Sequence, residues 1–438
     1  MKRMKIGVLG GHRGNTMIQW CVRFRKEADI VAICDFNKDV LDRVREDMKR
    51  QNYNAALYDN FDDFIQCDMD AVVLANYANE HAPFAIRCLE RGMHVLSEVL
   101  PVQTLREAVL LAEAVEKSGK KYVYAENYCY FPSTSEMRRL YKSGELGEIE
   151  YGEGEYIHDC ESIWPGITYG DPAHWRNHIH ALYYCTHSAG PLIHITGLRP
   201  VRVTGFELKH NEKMFRMGCK AGQAGIEMVE LENGALIKSM HATQMYTNSV
   251  WYSLYGTKGE AESERENSDG KGIEALHLLK TGKDGREWAR YSPVPYAEPK
   301  EGKFGKEGEN SYTVKTDDGT HRESEEFGHG GSDFYVMENF LKAIRGEEAE
   351  VIDVYEALDM AFVGLFGYFS VLAGGKPMDI PDFRDPAQRE PYRNDTRCTD
   401  LKVAGDQLIP SYSKGDISIP PENYERIRKM YEDMLAEG

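Results

Sequence analysis

Histidine is concentrated in one stretch of this 438-residue sequence, where six of the fourteen histidines fall between His158 and His194. Imidazole titrates near neutral pH and therefore suits proton transfer. Tyrosine, tryptophan and arginine side chains crowd the same stretch more densely than in an ordinary core element. The pattern predicts a catalytic or binding site in which His187 is a candidate acid or base. His194 lies on an apolar run and is predicted to be a core residue.

The same stretch could also offer imidazole ligands to a metal ion. His174 and His178 would share one face of a helix, whereas His178 and His180 would share one face of a strand. One regular element cannot satisfy both spacings, and no carboxylate or thiolate stands at a matching spacing. We therefore predict that the chain has no metal site.

A glycine-rich turn follows the first apolar run, residues 5–9, and precedes a helix-forming stretch, residues 16–25. Backbone N–H groups at the start of such a helix can approach a pyrophosphate. The next predicted strand, residues 30–34, ends in an aspartate that can accept from a ribose 2′-hydroxyl, and no arginine follows it, which favours NAD over NADP. The predicted dinucleotide site consists of Gly10, Gly11, His12, Arg13, Gly14 and Asp35.

Short apolar runs continue to alternate with helical stretches up to residue 125. Strands separated by helices of about 10–15 residues predict a parallel, doubly wound sheet with right-handed crossovers. Ligands of such sheets bind beyond the carboxyl ends of the strands. The residues at those ends are Gly10, Asp35, Asn76, Glu98 and Glu126.

From residue 149 onward, strands are predicted without intervening helices, which indicates an antiparallel sheet. The charged, glycine-rich residues 260–326 are predicted to be surface excursions. We predict an α/β protein with an NAD-binding Rossmann domain at residues 1–125, a substrate-binding α/β domain at 126–380 and a C-terminal arm at 381–438. The arm ends in a helix and is expected to lie on its own or a neighbouring subunit.

Five aromatic residues cluster before the second strand of that sheet. Aromatic faces can pack on the C–H surfaces of a sugar, and hydroxyl or indole groups can bond its oxygens. Aromatic residues fill protein cores equally well, so the cluster leaves both interpretations open. Its members are Trp164, Tyr169, Trp175, Tyr183 and Tyr184.

Several runs resemble the Gfo/Idh/MocA family of nicotinamide-dependent sugar oxidoreductases. They are Asp70-Ala-Val-Val-Leu-Ala, His81, Gly92-Met-His-Val-Leu-Ser-Glu98 and Pro101. The resemblance covers nearly all of residues 1–383 and implies a Rossmann domain followed by a domain built on an open, mostly antiparallel sheet. The dehydrogenases of that family carry Glu-Lys-Pro after this strand, whereas here the run is Glu98-Val99-Leu100-Pro101, so the usual catalytic lysine is missing.

One branch departs in the same way, the NAD-dependent glycosidases of glycoside hydrolase family 109, which carry Glu-Val-Pro. Four runs resemble that branch: Glu126-Asn127-x-Cys129-Tyr130, Tyr156-x-His158-Asp159, Tyr184-x-Thr186-His187-x-x-Gly190-Pro191 and His329-Gly330-Gly331-x-Asp333-Phe334. The match places the active-site positions of the branch on Glu126, Tyr156, Tyr184 and His187. It implies a further tyrosine somewhere between Tyr246 and Tyr255.

Other polar and aromatic residues are predicted to contribute to the cofactor site and to the sugar site. We assign Asn76, His81, Glu98, Trp175 and Arg176 to the cofactor. We assign His158, Trp164, His178 and His180 to the sugar.

The resemblance implies a glycosidase that keeps its NAD. A sugar hydroxyl is oxidised to a ketone, the adjacent C–H becomes acidic, the aglycone is eliminated, water adds and the hydride returns. The alternative is an NAD-dependent dehydrogenase of a sugar, inositol or glycoside, with Tyr184 or His187 in place of the missing lysine. A third possibility is a non-catalytic sensor on the same fold.

Composition narrows the choice of partners. The net charge of −18 disfavours nucleic acid and anionic membrane surfaces, which recruit clustered lysine and arginine. Residues 360–373 are apolar but too few to span a bilayer, and we predict a buried helix there. The apolar run after the basic residues 1–5 is too short for a signal peptide. We therefore expect a cytoplasmic homo-oligomer that acts on a small carbohydrate.

Overall fold

The computed structural model describes residues 3–24, 26–265, 276–282, 285–293, 311–313 and 327–437. The chain forms two compact units. The first unit comprises Met1–Phe131, Thr316–Leu358 and Phe383–Asn394, and the second comprises Pro132–Lys315, Asp359–Asp382 and Asp395–Gly438. Unlike the predicted division into contiguous domains, each unit draws on separate segments of the chain.

The first unit contains a six-stranded sheet in the order β3-β2-β1-β4-β5-β6. Every pairing in it is parallel, which confirms the predicted Rossmann sheet. The short strand β3 was not predicted. The strands are β1 (Met4–Leu9), β2 (Ala28–Cys34), β3 (Ala56–Tyr58), β4 (Ala71–Leu74), β5 (His94–Ser97) and β6 (Tyr122–Tyr124).

Helices connect these strands, and their ends follow local capping rules. Thr104 and Glu107 form a reciprocal capping box at the start of α5, and Gly119 ends that helix with a φ of +62°. The helices of the first unit are α1 (Asn15–Arg23), α2 (Lys38–Gln51), α3 (Phe61–Phe64), α4 (His81–Glu90), α5 (Leu105–Ser118), α10 (Ser332–Arg345) and α12 (Pro386–Arg389).

The second unit contains a sheet in the order β15-β14-β13-β12-β11-β7-β10-β9-β8-β16, counting the residues that the structure describes. The pairs β7–β10 and β14–β15 are parallel and the others are antiparallel, which confirms an open, mostly antiparallel sheet. The strands are β7 (Ile149–Ile157), β8 (Pro200–Glu207), β9 (Ala224–Leu231), β10 (Leu236–Ala242), β11 (Ser249–Gly256), β12 (Gly259–Ser263), β13 (Leu276–Gly282), β14 (Gly285–Ser292), β15 (Ser311–Thr313) and β16 (Met378–Asp379).

Two predictions about the second unit are wrong. Helices do stand between its early strands, and residues 260–326 are not simply surface excursions, because β13, β14 and β15 and most of β12 fall within them. Ala261, Leu276 and Leu278 are buried and alternate with polar residues, as in a strand with one solvated face. The high charge of the solvated face concealed that alternation. Residues 266–275, 283–284, 294–310 and 314–326 of this stretch lie outside the described residues.

The remaining helices belong wholly or mainly to the second unit. They are α6 (Pro132–Lys142), α7 (Trp164–Thr168), α8 (Thr186–Thr196), α9 (Glu212–Arg216), α11 (Val354–Leu372), α13 (Leu401–Ala404) and α14 (Pro421–Glu437). The buried helix predicted at residues 360–373 and the helix predicted at the end of the arm are confirmed as α11 and α14.

Helix α8 is completely buried and lies directly on the sheet. A Cβ atom at Gly154 of β7 would stand 1.9 Å from the carbonyl oxygen of Ser188, so only glycine permits this approach. The close packing fixes the first turn of α8, which carries His187, above β7, which carries Tyr156.

Helix α11 is the one apolar helix among the described residues that is long enough to cross a bilayer on length and composition. It is buried over 83% of its most apolar window. Its composition is therefore explained by packing inside the protein.

Candidate active site

The glycine-rich turn lies between β1 and α1 in the first unit. Gly10 has a φ of +95°, and a Cβ atom there would stand 2.3 Å from the carbonyl oxygen of Ala75. A Cβ atom at Gly14 would stand 2.5 Å from the carbonyl oxygen of Gly10. The bare backbone of the turn therefore packs on the end of the sheet, and α1 begins at the next residue, Asn15. This is the construction that a dinucleotide pyrophosphate requires.

Asp35 follows β2 and is held beside that turn. Its Oδ2 accepts from the Gly11 backbone N–H at 2.7 Å, and its Oδ1 accepts from the Asn37 backbone N–H at 2.8 Å. Burial raises the pKa of Asp35, and the two backbone hydrogen bonds oppose that shift. A carboxylate accepts up to about four hydrogen bonds, so capacity remains for ribose hydroxyls. The turn and Asp35 together fit NAD.

Arg13 forms the centre of a buried ion-pair network. Its guanidinium donates two hydrogen bonds to Asp333, each 3.0 Å long, and lies 2.6 Å from Glu98 Oε1. Asp333 is only 1% exposed and also contacts His329 Nδ1 at 3.1 Å and Asn127 Nδ2 at 3.3 Å. The network joins the glycine turn to α10, and whether Arg13 and Glu98 also touch the cofactor stays a prediction. Sequence reasoning noted the runs that contain Asp333 and Asn127 but did not select these residues.

Two further candidates stabilise the loops at the strand ends. His81 is buried, with Nδ1 2.9 Å from the Leu100 carbonyl oxygen and Nε2 3.3 Å from that of Asn76. It therefore connects the loops that follow β4 and β5. Glu126 is fully buried after β6, and its Oε1 accepts from the Tyr128 backbone N–H at 3.4 Å.

Four buried aromatic rings meet in the second unit and are called here the ring cluster: Tyr156, Tyr184, His187 and His241. The ring centroids of Tyr156 and His187 lie 4.6 Å apart, and those of Tyr184 and His187 lie 5.7 Å apart. His241 is stacked parallel to Tyr156 at 5.6 Å. The structure thus brings together three of the four predicted catalytic residues within one unit.

Both tyrosine hydroxyls of the ring cluster have defined polar neighbours. The Tyr156 hydroxyl and His158 Nδ1 share a hydrogen bond of 2.9 Å. Arg176 donates to the Tyr184 hydroxyl oxygen at 2.8 Å, and its guanidinium carbon lies 4.5 Å from the centroid of the Trp175 ring. In this arrangement His158 can accept the proton of the Tyr156 phenol, and Arg176 can stabilise negative charge on the Tyr184 oxygen.

His241 is the member of the ring cluster that sequence reasoning missed. It lies on β10, and the parallel pairing of β10 with β7 places it opposite Tyr156. Burial lowers the pKa of His241 to about 3, so the ring is neutral. Its Nδ1 lies 3.2 Å from the Ala181 carbonyl oxygen, which can only accept, so Nδ1 carries the proton and Nε2 is an acceptor.

Comparison with known proteins finds a matching family for each of two segments of the chain. Residues 4–126 match the oxidoreductase family with an NAD-binding Rossmann fold, Gfo/Idh/MocA. Residues 310–388 match the C-terminal domain of glycosyl hydrolase family 109. The chain therefore carries a Gfo/Idh/MocA Rossmann domain and a family 109 C-terminal domain. The predicted resemblance to both is confirmed, and these domains identify the chain as an enzyme.

Relatives of family 109 align over most of the chain. A glycosyl hydrolase family 109 protein of Stenotrophomonas maltophilia is 23% identical over 440 residues, covering 89% of this chain and 91% of that protein. An alpha-N-acetylgalactosaminidase of Tannerella forsythia is 24% identical over 400 residues, covering 81% of this chain and 80% of that protein. The solved structure of a levoglucosan dehydrogenase with NADH and levoglucosan has a TM-score of 0.65 at 17% identity, covering 87% of this chain and all of that one. This last likeness shows the fold.

His174 and His178 do not join the ring cluster. They lie around a short 3₁₀ turn at Trp175–Asn177. His174 Nδ1 accepts from the Arg176 backbone N–H at 3.3 Å, and His178 Nε2 lies 2.9 Å from the Pro172 carbonyl oxygen. Burial lowers the pKa of His174 to about 3. Across the part of the chain that the structure describes, no three potential ligands are grouped as a metal would require.

Two residues assigned to the sugar lie in packed surroundings. The His180 ring is stacked on Tyr368 with 4.1 Å between centroids, and burial lowers its pKa to about 3. Trp164 is 2% exposed and belongs to a core cluster with Cys160, Met214, Met217 and Cys219. Neither residue is in the ring cluster, so their contact with the sugar stays a prediction.

The further tyrosine implied by the family 109 resemblance has three candidates. Tyr252 is buried, and its hydroxyl donates to the His187 carbonyl oxygen at 2.5 Å. Tyr255 packs beside Tyr151, with 5.8 Å between centroids. Tyr246 lies in the loop between β10 and β11 and is 70% exposed. Of the three, Tyr246 is the most exposed.

Proposed function

We propose that this protein hydrolyses glycosides by transient oxidation of a sugar hydroxyl with an NAD that stays bound. The ring cluster carries the proposal, because it combines a phenol that shares a hydrogen bond with an imidazole and a phenol that accepts from an arginine. The lysine that the family's dehydrogenases use after Glu98 is absent. The names of the family 109 relatives support a glycoside as substrate.

The cofactor is proposed to be NAD rather than NADP. A 2′-phosphate would meet the Asp35 carboxylate with like-charge repulsion, whereas a 2′-hydroxyl can donate to it. The glycine turn would hold the pyrophosphate. When bound, NAD supplies a hydride acceptor for oxidising a sugar hydroxyl and a hydride donor for the reverse step.

Asp35→Ala tests this preference. Calorimetry on the wild-type protein is expected to give an affinity for NAD at least about 10-fold above that for NADP. The reason is that direct contact between the 2′-phosphate of NADP and the Asp35 carboxylate should cost more than about 1.4 kcal/mol. The variant should bring the two affinities closer together. Asp39→Ala on the exposed first turn of α2 serves as the matched control and should leave the ratio unchanged. Tighter binding of NADP by the wild type would contradict the assignment.

The residues of the second unit are proposed to move the protons. A ketone acidifies the neighbouring C–H, so a modest base is sufficient. Tyr156 removes that proton through its phenolate oxygen after His158 Nδ1 has accepted the phenol proton. His187 and Tyr184 hold and move the proton of the sugar hydroxyl, and Arg176 stabilises negative charge on the Tyr184 oxygen. Elimination of the aglycone and addition of water complete the hydrolysis.

A label experiment tests the function. The protein as purified is incubated in deuterated water, without added NAD, with a panel of glycosides that includes alpha-N-acetylgalactosaminides. The released sugar should carry one deuterium at the carbon next to the transient ketone, and no NADH should accumulate, which mass spectrometry and absorbance measure.

Two outcomes would contradict the proposal. A stable ketone formed with one equivalent of NADH indicates the alternative, a dehydrogenase. Free sugar without label indicates direct displacement at the anomeric carbon by two carboxylates, which leaves every C–H bond intact.

A further inference from the structure

The C-terminal helix α14 lies in the second unit against α9 and the loop that follows α7. Asn423 Nδ2 donates to the Phe215 carbonyl oxygen at 2.8 Å, and the Tyr424 hydroxyl donates to that of Gly218 at 2.9 Å. Arg426 donates to the Arg216 carbonyl oxygen. The last carbonyls of a helix have no partner inside it, so α14 caps the end of α9.

Two glycines allow α14 to approach this closely. Gly170 has a φ of +64°, and a Cβ atom there would stand 2.5 Å from the Arg428 backbone nitrogen. Gly218 has a φ of +76°, and its Cβ atom would stand 2.7 Å from the Tyr424 ring. The surface on which α14 packs is thus formed in part by the backbone of two glycines.

One chain of ring contacts leads from α14 to the ring cluster. Tyr431 packs edge-on against Tyr169 with 4.9 Å between centroids, and Tyr169 packs edge-on against His174 at 6.3 Å. His174 stacks on Trp175 at 5.9 Å. Trp175 stacks on Tyr184 at 6.3 Å.

A second set of contacts runs through α9. This helix carries Lys213, whose side chain is fully buried and forms an ion pair with Asp159. Lys213 also donates to the Met245 carbonyl oxygen. Asp159 directly follows His158, and Met245 directly precedes Tyr246. The position of α9 therefore affects the positions of Tyr246 and of His158, which shares a hydrogen bond with the Tyr156 hydroxyl.

We propose that α14 is a positioning element of the substrate site, one that holds Tyr184 through Tyr431 and His158 through α9 and Lys213. The proposal rests on the proposed function for the identity of the substrate. Residues 159–185 contain only α7 and one 3₁₀ turn as regular helix, so external contacts must order them. Misplacement of reacting groups by about 1 Å can cost up to 100-fold in rate.

The test compares Tyr431→Ala with Glu432→Ala, an exposed change on the same helix. Hydrogen exchange followed by mass spectrometry reports the order of residues 165–185 without any substrate. Tyr431→Ala is expected to speed exchange there while strands β9 and β10 stay protected. We also expect kcat/KM for the glycoside to fall about 10-fold, within the range of such misplacement, with the affinity for NAD unchanged. Asn423→Ala should act in the same direction through α9.

Three results would overturn the inference. Exchange in Tyr431→Ala could match that of Glu432→Ala, or it could rise equally throughout the second unit, which would make α14 a general stabiliser. Exchange could also rise at residues 165–185 while kcat/KM stays unchanged. Failure of the proposed function is distinguishable, because a wild-type protein that cleaves no glycoside still gives a clear exchange result.

Discussion

Tyr156→Phe is expected to lower turnover by about 100-fold or more, the size of the effect of a lost general base. Phenylalanine keeps the ring that lies 4.6 Å from His187 and 5.6 Å from His241, so packing should be preserved. What disappears is the hydroxyl that bonds His158. Initial rates with a cleaved glycoside measure the loss, and calorimetry should show unchanged affinity for NAD. His187→Ala should have an effect of similar size.

Tyr151→Phe is the matched control for this prediction. Tyr151 lies on β7 as well, but an odd number of residues from Tyr156, so it faces the opposite side of the sheet. Its ring packs beside Tyr255 and not in the ring cluster. Rates in this variant should equal those of the wild type. If Tyr156→Phe also keeps the wild-type rate, Tyr156 is not the base and the proposed elimination needs another residue.

The elements that sequence predicts well are those specified by local pattern. The glycine turn and the buried runs of β1, β4 and β5 depend on residues close together in the chain. The placement of Asn76, Glu98 and Glu126 at one edge followed from the parallel order of the strands. These features together were enough to indicate a dinucleotide fold.

Pairing of distant strands is what the sequence could not provide. His241 reaches the ring cluster because β10 pairs in parallel with β7, and no local signal specifies that partner or register. Glu227 on β9 is a second residue whose position in the fold the sequence did not indicate. It is fully buried at a position where the alternation of the strand predicts an apolar residue, and burial raises its pKa to about 8.

The histidine-rich stretch shows a different limitation. Neither of the two periodicities considered for His174, His178 and His180 applies, because the backbone there is a 3₁₀ turn followed by irregular structure. In such a segment the spacing of residues does not determine the direction of side chains. Each of these histidines instead contacts its own neighbours, and the candidate site is formed by Tyr156, Tyr184 and His187.

Removal of the Arg13 charge should have the largest effect on stability. Asp333 and Glu98 are both buried, and the guanidinium lies 3.0 Å and 2.6 Å from their oxygens. Breaking a buried ion pair leaves an uncompensated charge, so Arg13→Met should lower the free energy of unfolding by on the order of 3–5 kcal/mol. Denaturant unfolding measures this loss. Arg45→Met, which removes an exposed pair with Asp42, should cost less than about 1 kcal/mol.

The pH dependence of unfolding reports the same network. Burial raises the pKa of Asp333, but the hydrogen bond with His329 and the charge of Arg13 outweigh it and hold that pKa well below its usual range. A carboxyl with a depressed pKa in the folded state contributes stability above its unfolded pKa, near 3.9, and loses it as the pH falls through the folded value. The wild-type protein should therefore lose stability below about pH 4, and Arg13→Met should lose less in that window.

The double variant Arg13→Met/Asp333→Asn distinguishes two roles of Arg13, neutralising the buried carboxylates and binding the cofactor directly. If Arg13 acts mainly by neutralising buried carboxylates, removing the Asp333 charge as well should restore part of the lost stability, and the affinity for NAD should follow the recovery. If Arg13 binds the cofactor directly, the affinity for NAD should stay low although the fold has recovered. A single variant Arg13→Met as stable as the wild type would contradict the ion-pair interpretation, because two buried carboxylates cannot lose their common counterion without cost.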